Sequence, residues 1–294
     1  MIFEYSGERL TLDISLKSGD LTFKAEDRKD IEIEFPGLRK NAADDIFDVS
    51  LENTVLKIRE NKREKKFGII ILSPGKSGDN ADVVIRYPEA LIFDGSVVTY
   101  AGDLAANDLK FSGNCKTYSG DMIVDRMTTE GFKLEAYSGD VTIGTLDGAL
   151  RLNSYSGDII INGGTMTGLE LNSYSGDCNI NGALHLSTDG VIKSMSGDVT
   201  LKILAYTGDS QLFIQSLSGD TNVSGEYPDD KIVIKSLLKS MKFNPVKMFS
   251  HENNSDIEVE VDSTKKHVQR IVDMIDSGKI TPEEGEKLIK AVKA

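Results

Sequence analysis

The chain has 294 residues, of which 39% are hydrophobic, 28% charged and 7% aromatic, with 27 Gly, 6 Pro and no Trp. That composition excludes a disordered, collagenous or low-complexity chain, and 2 cysteines cannot make a disulfide framework. A net charge of −13, from 34 basic and 47 acidic residues, repels phosphate backbones, so no nucleic acid is expected as a partner.

Met1 runs directly into Ile2-Phe3-Glu4-Tyr5-Ser6-Gly7-Glu8, which has neither a basic opening nor a long apolar stretch, so no export signal is expected. The most apolar run, Phe67-Gly68-Ile69-Ile70-Ile71-Leu72, is far short of the ~20 residues of a spanning helix. The chain therefore reads as cytoplasmic with no membrane span, and association with the cell surface stays open. Residues 1–95 read as irregular β structure that begins and caps a solenoid. Leu10–Ile14, Leu21–Phe23, Ile31–Phe35, Val55–Ile58 and Val83–Ile85 each alternate apolar with polar residues, which places alternate side chains on one face of a strand. Lys57–Lys66 holds the only basic cluster. It reads as a solvated hairpin loop, with contact to an acidic partner or a membrane surface as the alternative.

Residues 96–262 are organised by a recurring phrase. Tyr100-Ala101-Gly102-Asp103 is followed by Tyr118-Ser119-Gly120-Asp121, and the same form recurs at Tyr137–Asp140, Tyr155–Asp158, Tyr174–Asp177, Met195–Asp198 and Leu217–Asp220. The aspartates are 18, 19, 18, 19, 21 and 22 residues apart. Laid over one another, the repeats give apolar columns. Leu104, Met122, Val141, Ile159, Cys178, Val199 and Thr221 follow the aspartates. Ala106, Val124, Ile143, Ile161, Ile180, Leu201 and Val223 stand two further on. Val97, Cys115, Leu134, Leu152, Leu171, Ile192 and Ile214 precede each phrase. Spacing by two within each repeat implies two short strands per coil.

A sandwich would not repeat one turn phrase at a steady interval. The expected fold is therefore all-β: a single-stranded β-helix (β-solenoid) of about 18–22 residues per coil, whose neighbouring coils share an interior of piled aliphatic side chains. Tyr206-Thr207-Gly208-Asp209 is an inserted half-phrase that lengthens the late coils. Ile232, Ile234, Met241 and Phe243 continue the columns as the phrase decays, and Asp256–Val261 alternates as a closing strand.

The tail, residues 264–294, changes period. Val268, Ile271, Val272 and Ile275 form a helical stripe, and Gly278 ends that helix. Thr281, Pro282 and Glu284 cap a second helix carrying Leu288, Ile289 and Val292. Such a helical hairpin is too short to hold a core alone, so it must dock on something. It carries +2 while the remainder of the chain carries −15.

The repeated Tyr-Ser-Gly-Asp phrase, after an irregular β region ending in Ile85-Arg86-Tyr87-Pro88, resembles the bacterial putative-adhesin family over roughly residues 1–262. Residues Ile275–Glu284 resemble the short helical hairpin of the SHOCT type. The resemblance implies a single-stranded right-handed β-helix, no enzyme activity and no cofactor, with a link to cell-envelope stress in some relatives.

Four features of the repeats and side chains could carry chemistry. The Asp column (Asp103, Asp121, Asp140, Asp158, Asp177, Asp198 and Asp220) brings carboxylates to ~4.8 Å of one another, where they repel by ~0.9 kcal/mol in water. That repulsion is offset either by backbone N–H donors in each turn or by a bound cation such as Ca²⁺. The structural reading is preferred because the dense glycine-aspartate repeat of calcium-binding rolls is missing. The Tyr column (Tyr100, Tyr118, Tyr137, Tyr155 and Tyr174) reads as a corner ladder of packed rings. Cys115 and Cys178 fall in different inward columns and read as unbonded small hydrophobes. His185, His251 and His267 share no ligand spacing. No catalytic, cofactor-binding or metal site is therefore assigned. The expected function is a non-enzymatic binding or scaffold protein whose hairpin mediates association, with itself or with another protein. The alternative is a carbohydrate-binding or carbohydrate-cleaving β-helix that uses the Tyr and Asp columns.

Overall fold

Up to Ser236 the alternating stretches are strands in the computed structural model, which describes residues 1–38, 43–61 and 82–236. In chain order the early elements are β1 (Ile2–Glu4), β2 (Arg9–Leu16), β3 (Leu21–Glu26), β4 (Asp30–Glu34), α1 (Ala43–Ile46), β5 (Phe47–Glu52), β6 (Val55–Glu60), β7 (Val83–Pro88) and β8 (Ile92–Thr99). The regular coils follow as β9 (Leu104–Thr117), β10 (Met122–Ala136), β11 (Val141–Ser154), β12 (Ile159–Ile161), β13 (Thr165–Ser175), β14 (Cys178–His185) and β15 (Gly190–Ser196). The last described strands are β16 (Val199–Thr207), β17 (Leu212–Ser218), β18 (Thr221–Gly225) and β19 (Ile232–Ser236). Together they make an all-β solenoid unit, Met1–Ile234. The C-terminal helical hairpin and the closing strand lie outside the described residues.

From β9 onward each coil pairs in parallel with the next, and like residues pile in files. Leu134 sits over Cys115 and under Leu152, which sits under Leu171, then Ile192 and Ile214. Met122, Val141, Ile159, Cys178 and Val199 form a second file, and Val124, Ile143, Ile161, Ile180 and Leu201 a third. All of these side chains are buried. A further interior file, Leu109–Met127–Leu146 with Met166–Leu184 above it, is also buried. It escaped the by-two pattern because burial slips by one residue at Asn107-Asp108.

The expectation of two short strands in every coil is corrected for the first regular coils. β9, β10 and β11 run unbroken for 14, 15 and 14 residues. The chain splits into two strands per coil only from β12 onward, where residues 162–164, 186–189 and 208–211 interrupt it. The inserted Tyr206–Asp209 phrase lies at the last of these interruptions and lengthens its coil.

Order along the chain is not order in the stack at the N-terminal end. β2 pairs in parallel with both β6 and β8, and β3 with both β7 and β9. The coil of β2 and β3 thus lies between that of β6 and β7 and that of β8 and β9. Antiparallel strands cover the far side: β4 on β7, β1 on β4, and β5 on β6 through a two-residue turn at Asn53-Thr54. A parallel stack exposes a full row of backbone groups at its first coil, and antiparallel returns cover it with short local connections. Here the aromatics gather in the interior, with Tyr87 and Phe93 edge-on at 4.7 Å between ring centroids and Phe23 tilted against Phe93 at 5.9 Å.

Each coil closes at its glycine. Gly139 has φ of 124°, and a Cβ there would stand 2.2 Å from the carbonyl oxygen of Gly120 in the coil before. No side chain fits, and the conformation itself is one that L-residues avoid. Gly131, by contrast, has open space where its Cβ would be. Replacing Gly139 by Ala should therefore lower unfolding free energy by at least ~2 kcal/mol, whereas Gly131→Ala should change it by less than ~1 kcal/mol. Urea denaturation of the two variants checks this, and equal losses would contradict the corner geometry.

Candidate functional site

The repeated Tyr-Ser-Gly-Asp corner is the feature built most regularly from the sequence, so it is the first place to seek a site. Its aspartates do accept backbone N–H groups, but not within their own turns. The Oδ1 of Asp103 accepts from the amide of Asp121 at 2.8 Å, and the same bond joins Asp121 to Asp140, Asp140 to Asp158, Asp158 to Asp177, Asp177 to Asp198 and Asp198 to Asp220. The donors expected within each turn are thus replaced by a ladder between coils. A charge-assisted bond of this kind contributes roughly 1.5–3 kcal/mol where shielded and less at an exposed edge. It offsets the repulsion of adjacent carboxylates, which solvent also screens.

The ladder reaches back past the regular coils to Ser18-Gly19-Asp20, which carries the same Ser-Gly-Asp phrase. Asp20 accepts from Asp103, and Asp82 accepts from Asp20. Asp82 lies outside any Ser-Gly-Asp phrase. At the other interruption of the coil, Asp147 and Asp189 do the same for the amides of Thr165 and Gln211. These positions were hidden because no fixed phrase surrounds them. In the lowest turn Glu60 supplies the carboxylate, accepting from the amides of Lys17 and Ser18.

The tyrosines make a second ladder. Tyr100 stacks on Tyr118, Tyr118 on Tyr137 and Tyr137 on Tyr155, with centroids 4.7, 4.9 and 4.7 Å apart and planes within 12° of parallel. Lys116 Nζ lies 5.1 and 5.0 Å from the rings of Tyr118 and Tyr137 and bridges to Glu135 at 3.1 Å. Burial alone would lower the Lys116 ammonium, but its bonds to Glu135 and Tyr137 outweigh that and push it up. Stacking on a sugar ring needs an open aromatic face, and in this file the rings cover one another.

The remaining candidates are scattered. Cys115 and Cys178 are free and buried, and burial pushes both thiols up to about 12. His185 is exposed, with Nδ1 2.7 Å from Thr207 Oγ1, while His251 and His267 lie outside the described residues. The basic run is not wholly a loop. Lys57 and Arg59 belong to β6 and face Asp48 at 3.2 Å and Asp13 at 2.6 Å; residues 62–66 lie outside the described ones. Among the described residues no group of three or more His, Cys, Asp or Glu converges as a metal site. No described helix is long and apolar enough to cross a membrane.

Comparison with known families matches residues 10–272 to the Toastrack DUF4097 family. The chain belongs to the Toastrack family. Residues 268–294 match a SHOCT-like domain, which overlaps the end of the Toastrack match. Among curated proteins no sequence matches. Solved structures with a similar course include a putative lipid binding protein from Parabacteroides distasonis, 15% identical, with a TM-score of 0.41 over 80% of this chain and 96% of that one. A putative adhesin from Bacteroides fragilis, also 15% identical, gives 0.33 over 81% and 95%. A putative cell adhesion protein from Clostridium sporogenes, 11% identical, gives 0.29 over 80% and 98%.

Asp140→Asn keeps an acceptor oxygen and removes one charge from the row, so its stability should stay within ~1 kcal/mol of the parent, while Asp140→Ala leaves the amide of Asp158 without its partner and should lose ~1–2 kcal/mol. Equal urea midpoints for the two variants would refute the acceptor role. Separately, Cys115 and Cys178 should resist a thiol reagent in the folded protein and react at the rate of free thiols only in denaturant; fast labelling under native conditions would place a thiol at the surface.

Proposed function

We propose that this Toastrack protein is a non-enzymatic scaffold whose SHOCT-like tail mediates association with a second copy. The observation that carries the reading is the use made of the repeating side chains. The aspartates hold the next coil's amides and the tyrosines hold one another's faces, so the regular rows serve the stack and not a substrate. A solenoid of this kind gives a stiff support on which a separate segment can be displayed. The tail supplies that segment. Its apolar stripes at Val268–Ile275 and Leu288–Val292 need a partner surface, and the SHOCT-like match covers both.

Light scattering on the full chain is the test. Its mass should be a multiple of the 32.1 kDa protomer, and Ile271→Asp or Leu288→Asp should return it to the protomer mass with the β-sheet circular dichroism unchanged. A full chain that stays a protomer at high concentration would end this reading.

A further inference from the structure

The tyrosine file brings phenol against phenol in a way that the stack alone does not require. Four rings, Tyr100, Tyr118, Tyr137 and Tyr155, lie one above another with centroids 4.7–4.9 Å apart and interplanar angles of 2–12°. The same corner position is Lys17 one coil below, and Met195 and Leu217 in later coils, so the coil closes without a tyrosine. Tyr100, at one end of the file, is 47% exposed. Elsewhere among the described residues, Tyr87 packs against Phe23 and Phe93, while Tyr5 and Tyr206 bond to nearby backbone carbonyls. Within the file phenol stacks on phenol at three successive contacts.

We propose that this file is an oxidative cross-linking site, in which adjacent tyrosines of one chain couple to dityrosine and join consecutive coils covalently. The co-reactant is a one-electron oxidising system, a haem peroxidase with hydrogen peroxide. Each of two phenols gives up one electron and one proton to become a phenoxyl radical. The two radicals form a carbon–carbon bond between their ortho positions. Each ring then loses its ortho hydrogen to restore aromaticity and the phenol O–H. The balance is two tyrosines and one H₂O₂ giving one dityrosine and two waters. Tyr100 gives the oxidant access from solvent, and ring-to-ring spacing below 5 Å lets a radical formed there pass along the file. Proximity favours the partner already in place, because fixing two reactants side by side removes the need for a bimolecular encounter. The joined residues are 18 or 19 positions apart along the chain, so each bond closes a loop about as long as one coil and restricts the unfolded chain.

The experiment treats the dilute full chain with peroxidase and limiting hydrogen peroxide. The expected product runs as a protomer on a denaturing gel, has lost two hydrogens per bond in its intact mass, and shows dityrosine fluorescence. Trypsin should release residues 117–126 joined to residues 134–151, a pair bounded by Lys116, Arg126, Lys133 and Arg151 and holding Tyr118 and Tyr137. That pair should form at least ~tenfold more in the folded chain than in urea. Tyr118→Phe should abolish it while leaving the Tyr137–Tyr155 product, and the oxidised parent should unfold at a higher temperature than the untreated one. Coupling that is only intermolecular, coupling equal in folded and denatured chain, or no coupling at all would each overturn the proposal. The outcome is independent of the oligomeric state that tests the scaffold reading.

Discussion

A close approach of one coil's backbone to the next governs this molecule. At the corner the glycine of each coil sits against the carbonyl oxygen of the glycine before it, with no room for a Cβ: the hypothetical contacts run from 2.1 Å at Gly102 to 2.3 Å at Gly219. The following aspartate then reaches the amide of its counterpart in the next coil. Parallel coils that pair in register must repeat every ~4.8 Å, and a corner is where a turning chain most easily drifts from that spacing. A residue with no side chain and a residue whose side chain spans the gap solve the problem together. Interior files, under looser demands, exchange Leu, Ile, Val, Met, Cys and Ala freely from coil to coil, since a piled aliphatic core asks for volume and not for identity.

This division explains what could be read from residues alone. The glycine and aspartate of the phrase were visible because the constraint on them is absolute, and with them came the period, the parallel register and three of the interior files. Leu134, Leu152 and Leu171 lie in one file although the register shifts by one residue between Thr129 and Phe132 and between Gly148 and Ala149. The Leu109 file was lost because one shifted residue at Asn107-Asp108 reverses the parity on which an alternating pattern depends. Asp82 and Glu60 were lost for a different reason: their role is set by which coil lies above them, and that order is inverted relative to the chain. A pattern in sequence cannot report that β2 lies between β6 and β8, since no local residue encodes the return. The acceptor role of the aspartates was legible, but the donor was not, because the donating amide belongs to a residue 18 to 22 positions away.

The cap shows how the same chemistry behaves when the repeat stops. Arg28 bridges to Asp30 at 2.8 Å and Glu32 at 3.0 Å, and Arg86 to Glu34 at 3.1 Å and to Glu26. The carboxyl of Asp30, held by the guanidinium of Arg28, lies below the usual range. Arg28 sits just before β4 and bridges along it, whereas Arg86 of β7 meets Glu34 across the antiparallel β4–β7 pair and Glu26 across the parallel β3–β7 pair. In the regular coils the aspartates stand over one another, and such a row would repel itself unless something intervenes. The aspartate row uses backbone amides for this. Lys116 with Glu135 and Arg151 with Glu170 instead pair opposite charges between neighbouring coils.

The charge division along the chain bears on the proposed association. A tail of +2 beside a remainder of −15 draws unlike parts of two copies together, but over distances beyond ~8 Å salt screens that attraction. Charge therefore sets how fast two copies meet and in what orientation, whereas holding them requires the burial of apolar stripes at roughly 25 cal/mol per Å². Covalent coupling within the tyrosine file acts on neither term. It ties coils of one copy together, so the proposed cross-link and the proposed association act on different parts of the chain.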